Sequence, residues 1–212
     1  MPWLICLLFA SLPALAQPSV SVLERRDLPQ PSGPASASAE LRLGIALLED
    51  AGWQTEKVLA SVREAAGILA QCGISLTAVE LVRLAVPAPF LDFFTPLSRQ
   101  LAAAVPLQRP SLWFVRDTRQ RPAFDAEAIG RGNSRTRPEL TDTVWLTLGI
   151  RDLGIAVAHE LTHVLMDSGE HSEEAGNLMR ADTAAENTRL SDAQCARMRE
   201  TGSANGLLRL SR

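Results

Sequence analysis

The chain contains three histidines, His159, His163 and His171, and all of them fall in one short segment. The first two enclose Glu160 in His159-Glu160-Leu161-Thr162-His163, an H-E-x-x-H pattern. Residues at this spacing share one face of a helix, so the two imidazoles can hold one metal ion. Neutral imidazole is a zinc ligand, and a catalytic zinc site usually combines three protein ligands with a water. Glu160, one position along, can reach that water as a general base. The same helical face cannot supply a third ligand within reach, so the chain must turn back. Met166-Asp167-Ser168-Gly169 offers the turn, and Gly169 is the residue expected to go left-handed and end the helix. The turn then brings His171 up as third ligand. The chemistry these residues imply is hydrolysis by a water activated on one zinc ion.

The run from His159 to His171, H-E-L-T-H-V-L-M-D-S-G-E-H, followed by S-E-E-A-G-N-L-M, resembles the metzincin clan of zinc metallopeptidases. Their signature is H-E-x-x-H-x-x-G-x-x-H with a methionine-containing turn below the metal. Here two extra residues separate His163 from His171, and Met166 stands where the signature has glycine. The resemblance implies that Asn177-Leu178-Met179 forms the Met-turn, with Met179 beneath the metal. It implies an endopeptidase acting on peptide or protein substrates with one catalytic Zn2+. It also implies that an upper edge strand at Ala126 to Gly130 could pair with an extended peptide.

Two other readings stay open. In a gluzincin-like site the third ligand is a glutamate on a later helix, and Glu186 is the candidate. A non-catalytic zinc-binding or interaction module is the other, although binding alone does not require Glu160. The acidic residues Asp167, Glu170, Glu173 and Glu174 form either a solvated loop, a support for an imidazole N–H, or a preference for basic substrates. The stretch Arg131 to Arg137 reads as an exposed connection.

The elements that must position the site follow from periodicity. Leu41 to Leu48 reads as a buried strand. Thr55 to Gln71 has apolar residues at helical spacing (Val58, Leu59, Val62, Ala65, Ala66, Leu69), with Gly73 as the stop. Ile74 to Val86 reads as a strand ended by Pro87 and Pro89. Leu91 to Val105 reads as a short helix, Ser111 to Arg116 as a strand, Glu127 to Ile129 as an edge strand, and Thr143 to Leu148 as a strand. Asp152 to Asp167 is the histidine helix, apolar almost all round, as a central helix should be. Leu190 to Thr201 is a terminal helix carrying Cys195. This order predicts an α/β (α+β) fold: a mixed twisted sheet with helices covering one face, a central H-E-x-x-H helix and a small C-terminal helical subdomain.

Residues 1–16 read as a signal peptide, with an apolar run from Trp3 to Leu15 and an A-x-A site at Ala14-Leu15-Ala16. Residues 17–39, rich in Pro, Ser and Ala, read as a disordered linker or a pro-segment. Residues 40–212 then form the catalytic domain. No later stretch is apolar enough to span a membrane, so the expected location is periplasmic or secreted. Cys6 leaves with the signal peptide, and Cys72 and Cys195 remain as either a disulfide, favoured by an oxidising compartment, or two buried thiols. The net charge of −3 gives no bulk attraction to nucleic acid. With no tyrosine in the chain, no phenol can serve as ligand or oxyanion donor.

Overall fold

The alternation of strand β2 (Ala39–Leu48) explains the layering of the molecule. Leu43, Ile45 and Leu47 enter one buried cluster, whereas Ala46 and Leu48 enter another. Successive side chains on a strand point to opposite faces, so this one element feeds two cores. The computed structural model describes residues 19–29, 37–119, 128–131 and 140–211. The expected signal peptide at 1–16 lies outside the described residues, as does the connection after Arg131.

The other strands are β1 (Ser21–Pro29), β3 (Ile74–Ala85), β4 (Ser111–Phe114), β5 (Ala128–Arg131), β6 (Thr143–Leu146) and β7 (Leu208–Leu210). They form one sheet in the order β1-β3-β2-β4-β6-β5, with β7 pairing beside β4 on β2. β3, β2, β4 and β6 run parallel, and β1, β5 and β7 are antiparallel to their neighbours. The mixed α/β architecture expected from the sequence is therefore present.

Helices α1 (Thr55–Leu69) and α3 (Leu153–Met166) cover one face. Val58, Val62, Ala65 and Leu69 of α1 and Ile155, Val157 and Leu161 of α3 share a core with Leu43 and Ile45 of β2. α1 ends in a short 3-10 turn at Ala70–Cys72, and Gly73, at φ 69, makes the reversal into β3. Helix α4 (Asp192–Ala204) packs against α3 from the C-terminal side. Its start is fixed by a capping box: Ser191 accepts from the Gln194 amide, and the Gln194 side chain accepts from the Ser191 amide.

Three expectations change here. The opposite face of the sheet is also buried, not open. Helix α2 (Thr95–Ala104) contributes Leu101 to a second core around Trp113 and Trp145. These two indoles are register partners on β4 and β6, stacked with ring centroids 4.9 Å apart. The sequence predicts a linker or pro-segment over 17–39, yet Ser21–Pro29 is strand β1, paired antiparallel with β3 along most of that strand. The pairing makes the strand, since its side chains are mostly exposed and carry no core pattern. The helix expected over Leu91 to Val105 begins only at Thr95, after a 3-10 turn at Ala88–Phe90.

Cys72 and Cys195 form a disulfide with Cα atoms 4.8 Å apart. It joins the end of α1 to the first turn of α4 across a separation of 123 residues, which restricts the unfolded chain by about 4–5 kcal/mol in the entropic model.

Candidate metal centre

Helix α3 has thirteen buried residues, and His159 and Glu160 are among them, 3% and 9% exposed. Burying an imidazole and a carboxylate on an apolar helix is unfavourable unless partners satisfy them. His159 finds one in the Leu178 carbonyl, 2.8 Å from its Nδ1. His163 finds one in the Ser168 carbonyl, 2.7 Å from its Nδ1. A carbonyl only accepts, so both Nδ1 atoms carry protons, and both Nε2 atoms present bare lone pairs.

Those two Nε2 atoms stand 3.0 Å apart. Two imidazole lone pairs at that separation repel unless a cation or a proton lies between them. Burial acts against the proton. It lowers the pKa of both rings, and His163, pushed down further by the neighbouring His159, falls to about 4. Two ligands on a tetrahedral zinc at 2.0–2.1 Å stand about 3.3 Å apart, close to the spacing here. His171 completes the cluster: one ligand nitrogen from each of the three rings lies within 4.8 Å of the others. His171 is the exposed member, and its ring centroid is 5.4 Å from that of His159 and 5.0 Å from that of His163. Three convergent nitrogens, two with fixed tautomers, are a donor set that fits zinc.

The chain reaches His171 by a different turn from the one expected. α3 stops at Met166, and Asp167 takes the left-handed conformation at φ 47, ψ 49. Gly169 has no positive φ among the described residues. Aspartate is among the few non-glycine residues that visit this region at modest cost. The cap directs the Asp167 and Ser168 amides back to carbonyls of the last turn, which leaves the Ser168 carbonyl beside His163.

Asn177-Leu178-Met179 also meets the site, through the Leu178 carbonyl. Met179 is 1% exposed, and its amide donates to Asn177 Oδ1 at 2.9 Å. Glu186 lies exposed in a turn before α4, on no helix and outside the histidine cluster, so it does not share the position of a third ligand. The acidic residues do not support the two helix imidazoles, whose Nδ1 atoms use carbonyls. Glu170 instead accepts from Arg197 at 3.1 Å and Ser168 at 3.3 Å, and Glu173 and Glu174 are exposed. The edge strand expected near Glu127 to Ile129 is β5, which contacts α3 and ends the sheet.

Sequence reasoning missed the two carbonyls, because a backbone acceptor leaves no residue-type signal. It also missed Gln194, whose side chain exchanges two hydrogen bonds with Asn177, Nε2 to Oδ1 at 3.1 Å and Nδ2 to Oε1 at 3.0 Å. The Ser191-x-x-Gln194 capping pattern was the available signal.

No protein-family model matches the chain, and no curated protein matches it in sequence. Its fold is similar to that of a solved structure, metalloproteinase-II from Bacteroides fragilis, with a TM-score of 0.53 and 17% identity over 82% of this chain. The chain spans 57% of the length of that protein. At this identity the likeness is one of fold: the histidine cluster sits in an α/β architecture shared with a metalloproteinase.

Proposed function

We propose that the chain is a zinc-dependent peptidase, with His159, His163 and His171 as metal ligands and Glu160 as general base. The observation that carries this reading is the convergence of the three imidazoles, two of them with lone pairs facing across 3.0 Å. The fold likeness to a metalloproteinase supports the substrate class. When bound, zinc supplies Lewis acidity to the scissile carbonyl and lowers the pKa of water to about 7.

The chain supplies the rest. The Leu178 and Ser168 carbonyls hold the two helix imidazoles in their Nδ1–H tautomers and fix their rings. Glu160 takes the proton of the attacking water and returns it to the leaving amine. Among the described residues β5 is the last strand of the sheet beside α3, where an extended peptide could lie as an added strand. Met179 fills the floor of the turn. The disulfide supports an exported protein, since such bonds persist in oxidising compartments. No helix among the described residues is long and apolar enough to cross a membrane.

Glu160→Gln tests the assignment. The substitution should lower cleavage of denatured protein or mixed peptides about 100- to 10,000-fold and leave bound zinc unchanged. Full activity in that variant would remove Glu160 from the mechanism.

A further inference from the structure

The Leu178 carbonyl that holds His159 belongs to no helix or strand of the sheet, so something else must fix it. Its segment pairs with a second irregular segment: the Leu178 amide donates to the Arg189 carbonyl at 2.7 Å, and the Arg189 amide donates to the Gly176 carbonyl at 3.0 Å. Each segment is gripped by a glutamine. Gln194 exchanges two hydrogen bonds with Asn177, whose Oδ1 also accepts from the Met179 amide. Gln71 donates from Nε2 to the Thr188 carbonyl at 2.9 Å and accepts the Leu190 amide at Oε1 at 2.9 Å. Gln71 directly precedes Cys72 and Gln194 directly precedes Cys195, the two ends of the disulfide. The two glutamines therefore stand at the two roots of one covalent bridge, with the histidine's carbonyl suspended between them.

We propose that Gln71 and Gln194 are positioning residues that aim the Leu178 carbonyl, and through it His159, at the metal. The inference rests on the zinc reading above. Partners that orient a ligating imidazole from outside the ligand set alter metal affinity about 10- to 100-fold when removed. Neither glutamine touches a histidine, so the effect travels through the paired segments alone.

The test uses the intact, disulfide-bonded protein. Zinc affinity is measured by competition with a chromophoric chelator, and the visible spectrum is recorded with Co2+ in place of zinc. Gln71→Ala removes one grip at an exposed side chain. Gln194→Glu keeps the acceptor that the Ser191 amide needs, so the capping box survives, but loses the donor to Asn177. Each variant should bind zinc about 10-fold more weakly or worse and show an altered cobalt spectrum, with thermal stability close to that of the parent. Asn177→Ala combined with Gln194→Glu should lose no more affinity than Asn177→Ala alone, because Gln194 acts through Asn177. Parental affinity and cobalt spectra in both single variants would overturn the proposal while leaving the zinc site intact. Absence of zinc binding by the parent would overturn the zinc reading itself, and this inference with it.

Discussion

At the residue scale the site is a problem of proton placement. Two carbonyls claim the Nδ1 protons of His159 and His163, and this leaves their Nε2 lone pairs facing each other. Burial then opposes the extra proton that would relieve the repulsion. The consequence for stability has a definite sign. In the unfolded chain His163 takes its proton near 6.5, whereas in the folded protein it resists down to about 4. Between those values the unfolded state binds more protons, so the folded state loses stability as pH falls through that window. Metal-free protein should therefore melt at progressively lower temperature from pH 7 to pH 4.5. His163→Gln should show a shallower decline over the same range. Equal slopes for the two proteins would show that this ring does not drive the change.

At the element scale, what could be read from the sequence follows from whether a signal was local. The histidine helix was legible because its residue types are rare and its apolar pattern is dense. The strands β2, β3, β4 and β6 were legible because they are mostly buried and rich in aliphatic, β-branched or aromatic residues. Strand β1 was not, since Pro29 and the run Glu24-Arg25-Arg26-Asp27 look like a solvated tract, and only pairing with β3 makes them a strand. The end of α3 was read within one residue, but its left-handed cap was assigned to Gly169, because aspartate at 167 can adopt the same conformation. β1 and β5 lie at opposite edges of the sheet, about 24 Å apart at the usual strand spacing. Pairing with β3 gives β1 a structural role, and removing the segment tests whether it also inhibits. A chain starting at residue 31 should melt at least about 5 °C lower, as expected for losing roughly 2 kcal/mol or more, with no gain in peptide cleavage. Higher cleavage at unchanged melting temperature would instead mark the segment as inhibitory.

At the scale of the whole molecule, the sheet and α1 hold α3 from one side and α4 holds it from the other. The disulfide joins α1 to α4 around it. The third histidine is the only member of the cluster outside α3 and the only exposed one, so the site closes only if the chain beyond the helix is held. The run from His163 to His171 is two residues longer than in the metzincin signature that the sequence resembles. The structure accommodates that length with the Asp167 cap and brings the ring into the cluster. The most direct test of the account is a zinc titration of metal-free protein, comparing the parent with His171→Ala and Glu186→Ala. The parent and Glu186→Ala should each bind one zinc per chain with equal affinity, and His171→Ala should bind at least about 100-fold more weakly, beyond the usual effect of losing an outer partner. Undiminished affinity in His171→Ala, or no stoichiometric zinc in the parent, would contradict it.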